Sequence, residues 1–417
     1  MPQLMEQILS RENMQLAHKK VKANKGAAGI DGISVDEVDG YLKENWASIR
    51  ESIRNRKYRP KPVLRVEIPK PNGGIRKLGI PTVTDRIIEQ AIVQAITPIV
   101  EPYFSECSYG FRPGRNAQQA VVKLLEYLND GYTYIVDIDL EKFFDKVPQD
   151  KLMTLVGKII QDPNTESIIA RYLRAGAMVE GQYEDTFEGT PQGGNLSPIL
   201  SNIMLNELDK ELEARGLHFV RYADDCIIAV GSSAAANRVM HTTTKWIEKK
   251  LGLTVNIEKT KVTKPMKLKF LGFGFVKMGK KWEARPHKES LNKFERKLKR
   301  LTKRSWSINM DERIKKLNWV IRGWINYFRI GKMKQNMIRI DGRLRTRMRI
   351  VIWKQWKTRQ KRIWSLRKLG APDWMAKQSA GFHNHYQAVA KTTGLRHIAK
   401  EVFAKRGLVS CVDYYLN

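Results

Sequence analysis

The chain has 417 residues, 42% hydrophobic and 28% charged, enough for two or three domains with substantial cores. Lys and Arg number 75 against 43 Asp and Glu, a net charge of +32. With no apolar run near the roughly 20 residues that span a bilayer and no signal-peptide pattern, this charge points to nucleic acid and not to a membrane. Three widely spaced cysteines, Cys107, Cys226 and Cys411, exclude a disulfide framework and a zinc site and fit a reducing cytoplasm.

From the N-terminus, residues 3–22 have the spacing of an amphipathic helix, with Leu4, Ile8 and Val21 among polar residues. A Gly-rich loop at 26–32 precedes a second helix over 34–56, marked by Val38, Leu42, Trp46, Ile49 and Ile53. Arg59-Pro60-Lys61-Pro62 breaks the pattern, and two alternating strands over 63–81 flank Pro71-Asn72-Gly73-Gly74, a strong hairpin signal. Lys70, Arg76 and Lys77 surround its tip. A basic hairpin of this kind can close over a triphosphate. Residues 84–99 predict an apolar helix capped by Thr84, with Arg86 in its first turn, where the helix dipole disfavours a cation. An aromatic, basic loop at 103–115 and a helix at 116–129 follow.

A strand over 132–140 carries Asp137 and Asp139 on one face. A carboxylate in such an apolar strand needs a metal or a basic partner, and alternation does not choose between the two. Helices at 150–161 and 164–175 and a hairpin at 178–188 lead to Gly189-Thr190-Pro191-Gln192-Gly193-Gly194-Asn195-Leu196-Ser197-Pro198. Its paired glycines allow close backbone approach to a ligand, and Ser197-Pro198 opens a helix to about 214. Residues 219–230 form a hairpin whose turn carries Ala223-Asp224-Asp225, two carboxylates that repel unless a cation joins them. A helix over 233–250 and strand-like runs at 255–262 and 270–275 follow.

From about 285 the chain becomes helical and basic. Leu291, Phe294, Leu298 and Leu301 mark one helix, and Ile314, Leu317, Ile321, Trp324 and Phe328 a second. Residues 343–362 carry nine Lys or Arg and no acid, with Trp353 and Trp356 interleaved, which favours a phosphate-tracking surface. His383-Asn384-His385 shares its letters with a nuclease motif but lacks the spread such a site requires.

Together these features resemble the group II intron-encoded reverse transcriptase/maturases. Tyr222-Ala223-Asp224-Asp225 matches Y-x-D-D, and Gln192 to Pro198 match Q-G-x-x-x-S-P. Asp139 stands five residues before the aromatic Phe144, the spacing of the first catalytic motif, which selects Asp139 over Asp137. Phe270-Leu271-Gly272-Phe273 is similar to a primer-grip turn, and residues 322–328 to the thumb or maturase region. The resemblance implies an α+β right-hand polymerase, with fingers and palm built on antiparallel sheet. An α-helical thumb and a basic C-terminal DNA-binding region would follow. The expected divisions are an N-terminal extension over 1–60, fingers and palm over 61–284, thumb over 285–360 and DNA-binding region over 361–417.

It also implies roles. Asp139, Asp224 and the carbonyl of Leu140 would hold two Mg2+ ions, with Mn2+ a possible substitute, and Asp225 would support them as the third catalytic carboxylate. Phe144 would exclude a 2′-hydroxyl. Lys70, Arg76, Arg86, Gln192 and Lys259 would line the nucleotide site, Arg86 near the template and Lys259 placed to protonate pyrophosphate. Phe270, Leu271 and Gly272 would grip primer, and Arg343, Arg345, Arg347, Arg349, Lys354 and Lys357 would contact nucleic acid. The expected partners are group II intron RNA, template RNA, a DNA primer or target and dNTPs, met by a monomer in the bacterial cytoplasm. The expected function is copying of intron RNA into DNA for retrohoming, with maturase help in splicing. Many relatives add an H-N-H endonuclease for which this sequence has no room. That is similar to the compact group IIC lineage and implies primers from elsewhere. The rival readings are a domesticated reverse transcriptase of phage defence or CRISPR adaptation, and a maturase alone.

Overall fold

The structure is a computed structural model that describes residues 3–69, 73–382 and 385–417. Lys70, expected at the triphosphate, and His383 and Asn384 lie outside the described residues. Two compact units divide the chain, Met1–Lys264 and Pro265–Asn417.

In the first unit the N-terminal stretch is two helices, α1 (Gln3–Ile8) and α2 (Arg11–Ala23), not one. Ser10 interrupts the run because its hydroxyl accepts from Asn13 N at 3.3 Å and so caps α2. The next helix, α3 (Val38–Arg54), starts later than its apolar spacing suggests. Ser34 and Glu37 close a turn first, Ser34 N and Oγ donating to Glu37 Oε2 at 3.0 and 2.7 Å. Strands β1 (Val63–Pro69) and β2 (Ile75–Ile80) form the expected hairpin, from Leu64 opposite Ile80 to Pro69 opposite Ile75. The cap of α4 (Val83–Val100) is Thr82, not Thr84: Thr82 Oγ1 accepts from Asp85 N at 3.0 Å, while Thr84 is buried in the first turn. A capping box between Asn116 and Gln119 opens α5 (Ala117–Asn129).

The first unit continues with β3 (Tyr134–Ile138), the single turn α6 (Phe143–Lys146), α7 (Gln149–Ile160) and α8 (Pro163–Leu173). A short hairpin, β4 (Ala177–Val179) and β5 (Gln182–Glu184), precedes α9 (Ser197–Ala214). Then come β6 (His218–Tyr222), β7 (Asp225–Val230), α10 (Ser233–Trp246) and β8 (Lys261–Thr263). Of the strand expected over 255–262 only the end is β8. Residues 256–260 turn instead, with Thr260 N on Asn256 O at 2.9 Å and Lys259 N on Asn256 Oδ1 at 3.2 Å.

One sheet has the order β2-β1-β4-β5, and the other, antiparallel throughout, β6-β7-β3-β8. Helices α4 and α9 are buried on most of their faces, and they carry polar side chains inward: Asp85 and Glu89 on α4, Asn202, Asn206 and Asp209 on α9. Leu4, Ile8, Val21 and Val38 belong to the same apolar cluster as Ile88, Ile92 and Val136. The first 60 residues are therefore built into this unit and are not an appendage.

The second unit begins with a small antiparallel sheet, β9 (Lys269–Phe270), β10 (Phe273–Met278) and β11 (Lys281–Pro286). Three long helices follow, α11 (Lys288–Leu301), α12 (Met310–Phe328) and α13 (Lys334–Gln355). They bury Leu298, Leu317, Ile321, Ile340, Leu344 and Met348, and the Phe294 and Trp324 rings stack at 4.4 Å. The small sheet folds with these helices: Lys332 N donates to Ala284 O at 2.8 Å, and the Phe273 and Phe328 rings lie 4.8 Å apart. The boundary therefore falls ahead of the compositional change near residue 285. Six shorter helices complete the unit, α14 (Arg359–Lys368), α15 (Asp373–Ala380), α16 (Tyr386–Val389), α17 (Thr393–Arg396), α18 (Lys400–Lys405) and α19 (Cys411–Leu416). The carboxylate of buried Asp341 on α13 ties down α19, accepting from Ser410 Oγ, Cys411 N and Val412 N at 2.8, 2.8 and 3.0 Å. No helix among the described residues is long and apolar enough to cross a membrane.

Candidate active site

The Tyr-Ala-Asp-Asp hairpin closes with Tyr222 opposite Asp225, leaving Ala223 and Asp224 as a two-residue turn. Ala223 has φ +57°, a conformation that a β-carbon disfavours. Buried Val220, Ile227 and Ile228 hold the hairpin in the core. Asp224 is half-buried, and Asp225 opens β7 on its exposed end. The ladder between β3 and β7 ends with Ile138 opposite Cys226. Asp139 follows Ile138 and Asp225 precedes Cys226, so both carboxylates stand at this end of the ladder. Asp139 has left the strand: its N donates to Thr260 Oγ1 at 3.1 Å, and its carbonyl accepts from Asn256 N at 2.8 Å. Asp137 remains in β3, so the face expected to carry both aspartates is divided where the ladder ends. Leu140 bridges to Val255 just beyond.

The electrostatics are those of crowded carboxylates. Desolvation, with the charges of Asp224, Asp137 and Asp139, pushes Asp225 up to about 7. Burial raises Asp224 above the ordinary carboxylate range; Asp139 adds to this, while Arg76 and Arg221 oppose it. Burial likewise raises Asp137, against the charge of Lys261. Lys259 Nζ stands 3.4 Å from Asp139 Oδ1, so in this arrangement the lysine faces an aspartate. Among the described residues no three His, Cys, Asp or Glu side chains converge tightly enough to hold an ion alone. Mg2+ is held in a different way, by one or two carboxylates with water and substrate phosphate. Repelling, hard oxygen donors at the ends of adjacent strands fit that mode.

The Gln192 loop is anchored from both sides. Gly79 N on β2 donates to Gln192 O at 2.8 Å, and Gly193, at φ +126°, has no room for a β-carbon, which would lie 2.5 Å from Gly79 O. Its close approach is thus to the protein's own β2 strand. Buried Glu89 accepts from Asn195 N at 2.6 Å, and Asn195 Nδ2 reaches Gln90 Oε1 at 3.1 Å. Burial pushes Glu89 up to about 8. Phe144, in the single turn α6, accepts at its carbonyl from Thr190 N at 2.6 Å, which links it to the same loop. Arg86 is turned away toward the N-terminal loop, where its guanidinium donates to Ala27 O.

In the second unit Phe270 is buried, and the Leu271-Gly272 turn is fixed to the helices. Tyr327 Oη donates to Leu271 O at 2.9 Å and Ser290 Oγ to Gly272 O at 2.8 Å. The turn and the region over 322–328 are thus brought together. The basic stretch is less uniform than its composition suggests. Trp353 is 1% exposed and belongs to the core. Arg343 pairs with Glu295. Arg347 Nε donates to Thr302 Oγ1 at 2.6 Å and Arg349 Nε to Ile398 O at 3.1 Å. Arg345 is partly exposed, and Lys354 and Lys357 are exposed. The residues that sequence reasoning missed are Glu89, Asn202, Asp209 and Arg221. Their signal was a charged or amide side chain inside an otherwise apolar helix or strand.

Residues 68–275 match the family of reverse transcriptases (RNA-dependent DNA polymerases), and residues 291–370 match the group II intron maturase-specific domain. The chain belongs to the group II intron reverse transcriptase/maturases. It is 32% identical to protein YkfC of Escherichia coli K12 over 299 residues, 62% of this chain and 78% of YkfC. It is 36% identical to the group II intron-encoded protein LtrA of Lactococcus lactis over 248 residues, 59% of this chain and 40% of LtrA. It is 29% identical over 325 residues to an uncharacterized 91 kDa protein in the cob intron of Schizosaccharomyces pombe, covering 64% of this chain and 40% of that protein. The chain thus spans less than half the length of these two intron proteins. Among solved structures, a chain of a partial Cas6-RT-Cas1–Cas2 complex aligns at 23% identity over 59% of this chain and 43% of its own, with a TM-score of 0.38.

Proposed function

We propose that this RNA-directed DNA polymerase copies group II intron RNA into DNA with two Mg2+ ions, and that its second unit binds intron RNA to promote splicing. The observation that carries the reading is the placing of Asp139, Asp224 and Asp225 at the shared end of β3 and β7, with Arg76 acting on Asp224 and Lys259 on Asp139. Asp139, Asp224 and the Leu140 carbonyl would hold the ions, and Asp225 would support them as the third carboxylate. Bound divalent cations supply the Lewis acidity that activates a 3′-hydroxyl and neutralises leaving pyrophosphate. Arg76 takes up triphosphate charge, Gln192 orients the nucleotide, and the Phe144 ring occupies the space of a 2′-hydroxyl. Lys259, held against Asp139, balances charge in the absence of substrate and would donate a proton to the leaving pyrophosphate. Leu271 and Gly272 support the primer, and the exposed cations Lys354 and Lys357 meet phosphate.

The maturase-specific match over 291–370 supports the intron role over one in phage defence or CRISPR adaptation, and the three aspartates support polymerisation over a maturase alone. The bacterial relatives support action in a bacterial cytoplasm. Primer extension on an RNA template tests the chemistry: Asp224→Ala abolishes it, and undiminished extension would sink the assignment. Splicing of the flanking intron at low Mg2+, with and without protein, tests the second half. Equal splicing in both would remove it.

A further inference from the structure

Beneath the Ala223-Asp224 turn lies a polar cluster sealed from solvent. Arg221 and Asp209 are each 0% exposed. The guanidinium meets the carboxylate through two bonds, Nε to Oδ1 at 2.7 Å and Nη2 to Oδ2 at 2.5 Å. The remaining nitrogen, Nη1, donates to Ala223 O at 2.9 Å and to Asn202 Oδ1 at 3.0 Å. Asn202 Nδ2 passes the chain on to Gly110 O at 2.8 Å. Gly110 in turn sits so close to the Ala223 backbone that a β-carbon there has no room. The backbone of Arg221 is fixed as well, its N donating to Cys107 O and its carbonyl accepting from Tyr109 N, both at 2.9 Å.

A buried ion pair is a weak source of stability, because apolar side chains of the same volume fill such a site as well. What apolar side chains cannot do is hold a carbonyl. The carbonyl held here belongs to Ala223, whose backbone is in the disfavoured left-handed region and whose next residue is Asp224. Planar, with five donors in a fixed fork, arginine can satisfy Asp209 on one edge and the turn on another, which a lysine cannot. We propose that Arg221 is a positioning residue: by clamping the Ala223 carbonyl from below, it fixes where the Asp224 carboxylate points and so sets the divalent-cation site. Asp209 and Asn202 hold the clamp in place.

The inference rests on the polymerase reading, and the experiment separates the two. Two variants of the full chain are compared with wild type and with Asp224→Ala. Arg221→Met combined with Asp209→Leu removes both charges together, so that neither is left buried alone, and thermal melting verifies its fold. Arg221→Lys keeps a positive charge opposite Asp209, and so folds even where the apolar pair does not, but it loses the second edge of the fork. In both, single-nucleotide addition should fall about a hundredfold in kcat, with the KM for dNTP unchanged. Binding of Mn2+ to the free protein, followed by electron paramagnetic resonance, should weaken about tenfold. A merely structural role would lower melting without changing these two quantities in a folded variant. Wild-type kcat and Mn2+ affinity in either folded variant, with Asp224→Ala inactive, would overturn the inference alone. Full activity in Asp224→Ala would overturn the polymerase reading itself.

Discussion

Glu89 makes the stability of the first unit depend on pH in a direction opposite to that of an ordinary salt-bridged carboxylate. Its side chain is 3% exposed, and burial raises it from 4.5 to about 8, although Asn195 N donates to it. Between those two values the unfolded chain has released a proton that the native state keeps. Stability therefore falls as pH rises through this window and levels off above about 8. At roughly 1.4 kcal/mol per pH unit, corrected for partial titration near the lower limit, Glu89 costs the fold roughly 2 to 3 kcal/mol between pH 5 and pH 7. Glu89→Gln preserves shape and an acceptor for Asn195 N while removing the ionisation. The assay is urea unfolding of both proteins at a series of pH values, read as the difference between them. The variant should gain on wild type by that amount across the window. Parallel curves would refute the reasoning and mean that Glu89 is ionised in the folded protein.

Four further outcomes are expected. Gly193→Ala forces a β-carbon against Gly79 O, which should destabilise the protein by about 1–3 kcal/mol and raise the KM for dNTP more than it lowers kcat in primer extension. Asp341→Ala strips three donors at α19 of their acceptor; a loss of about 3 kcal/mol and faster amide exchange at residues 411 and 412 should follow, with exchange at β3 unchanged. Replacing exposed Lys354 and Lys357 by alanine should leave melting unchanged and lower the log–log salt slope of RNA binding by about 1 per lysine. Arg347→Ala should instead lower melting, because that side chain holds Thr302.

Legibility in the sequence followed the physics of each segment. The β1–β2 hairpin could be read because alternation and a Pro-Asn-Gly-Gly turn are local signals. The long apolar periods gave α11 and α12 for the same reason. Asp139 could not be separated from Asp137 by alternation, because the choice lies in where the ladder ends, and Thr260 and Asn256 on a distant segment determine that. The basic stretch misled in part, since charge counts along a sequence do not show that Trp353 points inward or that Arg347 and Arg349 turn back onto the protein. The paired glycines of the Gln192 loop read as room for a ligand to approach the backbone, and what approaches Gly193 in the fold is β2. Arg221 was passed over because tertiary pairing makes it readable only together with Asp209, one helix away.

The Asp341 clasp also has a consequence for the order of events during synthesis. Its partners begin at Ser410, 69 residues later. At ~5–20 residues per second the ribosome needs roughly 3–14 s to make that interval, during which the α13 carboxylate waits without its donors. The second unit therefore closes last. RNA that meets the chain while it is still being made would encounter a first unit already complete and a helical unit still open at its end.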